Sequence, residues 1–186
     1  MTHMSTQPGL MTAEKLLTLP DDMWQYELLD GELQRMTKPG ALHGRVAAEV
    51  GASLTTFVRN HDLGLTFAAE TGFLLRKNPD TVRAPDASFI SHVRLAATPF
   101  PLEKFYPGAP DLAIEVLSPS DSARKVRSKV ADWLACGSAA VLVLDPKRKV
   151  AELHRAGRVH VYAPPEVLML DDVLPGWSLD LADLFR

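Results

Sequence analysis

Sulfur chemistry is almost absent from the chain. A single cysteine, Cys136, can close no internal disulfide and assemble no thiolate cluster for zinc or iron–sulfur. Long apolar runs are missing too: none reaches the roughly 18 residues that a membrane-spanning helix needs. The first residues carry neither the basic nor the apolar block of a secretory signal. A cytoplasmic protein with no membrane partner is therefore expected. Charge of one sign is also scarce, since 20 Lys and Arg face 23 Asp and Glu for a net of −3. That balance excludes a histone-like polyanion binder but leaves room for a small basic surface. Only 14 prolines and 11 glycines are spread over 186 residues, which excludes a collagenous or wholly disordered chain. No G-x-G-x-x-G follows a strand and no G-x-x-x-x-G-K-[ST] occurs, so dinucleotide and P-loop sites are excluded. Covalent catalysis has little support, because Ser118 and Ser120 sit in no G-x-S-x-G elbow. Neither repeats nor low-complexity segments appear.

What the chain does hold is core material, with 46% hydrophobic residues, enough for one domain. Residues 1–9 are small and polar and read as loose, and 12–19 read as a minor helix docked on the domain edge. Asp30-Gly31 between apolar segments predicts a two-residue hairpin turn. Val46, Val50, Leu54 and Phe57 recur at helical spacing, predicting an amphipathic helix over 41–59. Residues 65–76 read as one extended segment, 85–91 as a strand entered through Pro85, and 96–110 as a loop rich in Pro and Gly. Residues 111–117 read as a strand apolar on both faces, followed by a helix to Cys136 capped by Ser120 or Asp121. A second central strand covers 139–144, a hairpin turns at Gly157, and the mildly apolar tail from Leu168 to Phe185 packs on the sheet. Strands apolar on both faces want helices over them. An α/β fold follows, a mixed β-sheet flanked by α-helices.

Chemistry concentrates on three carboxylates and one basic helix. Glu115 is one carboxylate in a strand otherwise suited to burial. It requires an ion, a base or a watered cleft, unless its strand lies at an edge and faces solvent. Asp86 stands at the mouth of another strand, as a metal ligand or as a cap of the turn. Two such carboxylates at one sheet end suit a hard divalent cation, which prefers oxygen ligands. Glu70, on the preceding extended segment, is either a third oxygen or an ordinary polar-face residue. The helix after Glu115 carries Arg124, Lys125, Arg127 and Lys129, which can all simply be solvated. At about 100° per residue, Lys129 lies about 60° from Val126 and about 40° from Trp133, bordering the buried face. Lys125 lies about 100° from Val126, so Lys129 is the cation placed to reach inward.

Tyr26-Glu27-Leu28-Leu29-Asp30-Gly31-Glu32, His43 at a helix start, Ala84-Pro85-Asp86, the run from Pro110 through Glu115-Val116-Leu117-Ser118-Pro119 to Ser120, Lys129, and Val143-Leu144-Asp145-Pro146 together resemble the Uma2 family (DUF820). That family belongs to the PD-(D/E)XK nuclease superfamily, and the likeness runs from about Leu19 to the C-terminus. The resemblance implies a restriction-endonuclease-like fold over 19–186, with 1–18 as an N-terminal extension. It matches Asp86 and Glu115 to the motif acids, which with the Val116 carbonyl would hold Mg²⁺, Mn²⁺ being able to substitute. The superfamily lysine two positions after the acid is Leu117 here, and the resemblance implies a relocated lysine, Lys129. His43 matches a family histidine, though a histidine there is also an ordinary cap or packing residue. The implied activity is hydrolysis of nucleic-acid phosphodiesters, of DNA first, by a homodimer. The rival reading is a nuclease-fold protein without catalysis that binds nucleic acid or protein as a dimer. A different metal-dependent phosphoesterase is the third.

Overall fold

The computed structural model describes residues 9–20, 24–36 and 38–186. Helix α1 (Ala13–Leu17), capped by Thr12, precedes a hairpin of β1 (Gln25–Leu29) and β2 (Glu32–Met36). Asp30 and Gly31 turn that hairpin with φ of 49° and 82°, the left-handed pair a tight turn demands. Helix α2 (Ala41–Asn60) leads to β3 (Gly64–Ala68), β4 (Phe73–Arg76), β5 (Thr81–Arg83) and β6 (Ala87–Ser91). Then come α3 (His92–Ala97), β7 (Tyr106–Pro107), β8 (Leu112–Val116) and α4 (Ala123–Ala135). The last third holds β9 (Ala140–Asp145), the hairpin of β10 (Val150–Arg155) and β11 (Arg158–Tyr162), β12 (Val167–Met169), β13 (Ser178–Asp180) and α5 (Leu181–Leu184).

A six-stranded sheet in the order β11-β10-β9-β8-β6-β3 forms the centre. It is mixed, because β8 and β9 run parallel and the other pairings are antiparallel. A five-stranded sheet in the order β2-β1-β5-β4-β7 lies beside it, and β12 and β13 pair alone. The α/β fold with flanking helices is thus as the sequence implies. Alternation along β8 and β9 sends Leu112, Ile114, Val116, Leu142 and Leu144 to one face, under Val46, Val50, Leu54 and Val58 of α2 and the C-terminal segment. The opposite face sends Ala113, Val141 and Val143 against Val130 and Trp133 of α4, and against Phe73 and Tyr106 of the second sheet. Burying each Val, Leu, Ile or Phe among these contributes about 1.5–3 kcal/mol before entropy is counted. Val58 completes the buried stripe of α2, while Phe57 is only partly buried and stacks on His61 with ring centroids 4.1 Å apart.

Several expectations need correction. Residues 65–76 are not one strand: the chain breaks after Ala68, β3 joins the central sheet and β4 the smaller one. The strand expected over 85–91 begins at Ala87, leaving Asp86 just outside it. The supposed loop over 96–110 overlaps the end of α3 and contains β7. Helix α3 buries none of its own side chains. Arg94 ties it to Asp111, to the Ala109 carbonyl and to the Gly137 carbonyl, tertiary bonds that leave no local pattern. Ser122, not Ser120 or Asp121, caps α4, because Asp121 instead accepts from the amide and hydroxyl of Ser118. Ala13 of α1 is buried against Leu28 and Val82, so the helix is seated on the second sheet. The loose segment expected at 1–9 lies, but for Gly9, outside the described residues. Among the described residues, no helix is long and apolar enough to cross a membrane.

Candidate functional site

Glu115 sits in β8, between β6 and β9, so the solvent-facing edge position is excluded. It is 6% exposed and points to the α4 side. Lys129 and Trp133 are one helical turn apart on the facing side of α4. The Lys129 ammonium donates to Glu115 Oε2 at 2.9 Å and the Trp133 indole N–H to Oε1 at 2.8 Å. Asp86 reaches the same place through strand pairing. Its neighbour Ala87 is in register with Ile114, the Asp86 amide donates to the Ile114 carbonyl at 2.9 Å, and the Val116 amide donates to Asp86 Oδ2 at 2.7 Å. The other oxygen, Oδ1, lies 3.3 Å from His43 Nε2, in the first turn of α2. Ordinary β6–β8 register therefore brings both carboxylates to one sheet end.

A cleft of about 430 Å³ opens there, lined by Glu70, His43, Asp86, Glu115, Val116 and Lys129 among others. All six residues singled out from the sequence thus line one cleft, although not on equal terms. Glu70 is not on a strand: it occupies the turn between β3 and β4 with φ of 77°, and its carboxylate accepts from the Gln25 side-chain amide. Leu117, two positions after Glu115, has its amide bonded to the Leu144 carbonyl. Among the described residues, no three His, Cys, Asp or Glu side chains are gathered into a ready-made metal cluster.

A set of buried charges escaped the sequence reading. Glu27 on β1 is 3% exposed. Its Oε2 accepts from Arg83 at 2.9 Å, and its Oε1 accepts from the Ala84 amide at 3.3 Å and lies 3.3 Å from Lys129 Nζ. Arg83 also donates to Asp132, which accepts from Arg76 on its other oxygen. Alternation already puts Glu27 on the face of β1 away from Leu28. What that face meets depends on the packing of one sheet against another, which local spacing does not encode. Asp132 left no local signal either, since its partners Arg83 and Arg76 come from strands distant in sequence.

Arg83 pairs with Glu27, Lys129 with both Glu27 and Glu115, and Asp86 faces His43. Burial pushes the Glu115 carboxyl above its usual range, and Asp86 and Glu27 add to the rise against the opposing pull of Lys129 and Trp133. Burial works against the Lys129 ammonium, but Glu115, Glu27 and Asp86 outweigh it and hold its pKa well above normal. The hydrogen bond to Asp86 raises His43, against burial, with the charges of Asp86 and Asp121 assisting. Asp86 and Glu115 are the carboxylates in this cleft that could hold a hard divalent cation, which takes oxygen ligands.

A family model described as Uma2, "Putative restriction endonuclease", matches residues 13–182. Among solved structures, a "putative nuclease belonging to DUF820" from Anabaena variabilis ATCC 29413 is similar, with a TM-score of 0.78 and 22% identity. The match covers 94% of this chain and 97% of that one, a likeness that speaks for the fold. No curated protein matches.

Proposed function

Because the chain belongs to the Uma2 family, we propose that its cleft hydrolyses nucleic-acid phosphodiester bonds, those of DNA first, with Mg²⁺ as the resident ion and Mn²⁺ able to replace it. The observation that carries this reading is the β6–β8 pairing, which sets Asp86 beside Glu115 with Lys129 on the second carboxylate. Asp86, Glu115 and the Val116 carbonyl would hold the ion. Once bound, it would polarise the phosphodiester and lower the pKa of an attacking water. The Val116 amide fixes the Asp86 carboxylate on one side and His43 flanks it on the other. Lys129 acts as a cation toward charge developing on the phosphate. A base would need a depressed pKa, and its three carboxylate neighbours push the other way. Cutting both strands of a duplex asks for two such clefts, hence a homodimer.

Cleavage of supercoiled plasmid, single-stranded DNA and RNA, with Mg²⁺, Mn²⁺ or chelator, tests the reading on the wild type beside Asp86→Ala. Metal-dependent cutting is expected, with a loss of at least about 100-fold in the variant, the scale for removing one group that stabilises transition-state charge. A second reading, a nuclease fold retained for binding alone, draws support from the carboxylates themselves, whose oxygens are already paired within the chain. No cleavage on any substrate, with no divalent-ion binding by calorimetry, would favour it.

A further inference from the structure

Lys129 is held twice. Its Nζ lies 2.9 Å from Glu115 Oε2 and 3.3 Å from Glu27 Oε1, so one ammonium bridges carboxylates from β8 and β1. The second oxygen of each is tied elsewhere, Glu115 Oε1 by the Trp133 indole and Glu27 Oε2 by the Arg83 guanidinium. Each Glu115 oxygen therefore already accepts one bond, and Oε2 is the one that carries the Lys129 ammonium. A divalent ion engaging Oε2 repels the Lys129 ammonium beside it and weakens its hold on that oxygen. An ammonium with 17% of its side chain exposed would then be left without an anion in a poorly solvated place, which is costly. Glu27 removes that cost. It is too fully engaged by Arg83 and the Ala84 amide to serve as a ligand itself, yet it already lies beside the ammonium.

Resting on the metal-dependent reading above, we propose that Glu27 is a positioning residue, the anion that keeps Lys129 in the cleft when Glu115 Oε2 engages a divalent cation. The two carboxylates exchange one ammonium between them. Lys129 stays at the reacting site instead of being expelled to solvent, and its positive charge is not lost from the cleft when the ion enters.

Mn²⁺ titration calorimetry on the full chain tests this with wild type, Glu27→Gln, Lys129→Gln and the double variant, each checked for fold by circular dichroism. Glu27→Gln is expected to weaken Mn²⁺ binding about ten-fold, the scale for groups that support ligating side chains. Lys129→Gln removes the competitor and tightens binding. In that background, adding Glu27→Gln changes the affinity by less than about two-fold, the limit of simple additivity. An equal loss in both backgrounds makes Glu27 a structural or long-range electrostatic contributor and overturns the proposal. Since Glu27→Gln disturbs a buried pair with Arg83, a crystal structure of the wild type grown with Mn²⁺ gives a second test. Lys129 on Glu27 and released from Glu115 supports the exchange; Lys129 still on Glu115, or turned to solvent, overturns it. Absence of Mn²⁺ binding by the wild type sinks the metal reading and this proposal together, whereas binding with either adverse result sinks the role of Glu27 alone.

Discussion

Asp132 accepts from Arg83 of β5 and Arg76 of β4, and through these two pairs α4 grips the smaller sheet. Burial raises its carboxyl pKa, but the hydrogen bonds from Arg83 and Arg76 outweigh burial and leave it below the usual 3.8. A carboxylate depressed in the folded state stabilises above its unfolded pKa, and that stability is lost as pH falls through the folded value. Asp132→Asn should therefore cost roughly 1.5–3 kcal/mol at pH 7, the range for hydrogen bonds to charged groups. The gap between wild type and variant should narrow at pH values below 3.8. Urea midpoints at neutral and acid pH check this, and a gap that stays constant into acid would refute the assignment. The same scale shows why Glu115 could be singled out from sequence and Glu27 could not. A carboxylate inside an apolar strand announces itself, whereas one in a hairpin of mixed polarity needs its neighbours to be known.

Elements with a long repeated pattern were legible, and short ones held by tertiary bonds were not. Helices α2 and α4 follow from the spacing of their apolar residues, because such stripes must be buried on something. Helix α3 has no buried stripe and depends on Arg94 reaching across to Asp111 and Gly137. The break between β3 and β4 was equally hidden, since strands of different sheets share the same alternation. At the head of β3, Gly64 has φ of 153°, and a Cβ there would overlap the Ile90 carbonyl oxygen on the paired strand β6. Gly64→Ala should strip β3 from β6 and cost about 1–3 kcal/mol, as backbone conformations foreign to a side chain do. Chemical unfolding of the variant measures that loss, and wild-type stability would show that β3 has room to shift.

At the scale of the molecule, the α2 core and the α4 core lie on opposite faces of the same two strands, β8 and β9. Neither can open without exposing the other's backing. Native-state hydrogen exchange should therefore find the amides of β8 and β9 the slowest, exchanging by global unfolding whichever face their side chains serve. Helix α3 and the edge strand β11, whose residues are largely exposed, should open at lower free energy. Distinct opening energies for peptides facing α2 and peptides facing α4 would show two cores that unfold separately. The candidate site sits at the end of these central strands, so it inherits the rigidity of the most stable part of the chain.

The sequence by itself determined the class of fold, the central strands and both long helices, and it singled out Asp86, Glu115 and Lys129, because burial imposes periodicity and an isolated carboxylate breaks it. Tertiary structure alone decided how many sheets there are, where Glu70 stands, and that Glu27, Arg83 and Asp132 continue the charged cluster behind the cleft. The reason is one of range. Side-chain spacing records which face of an element is buried, but the partner that a buried charge meets is set by packing between elements distant in sequence, and that is where this cleft was assembled.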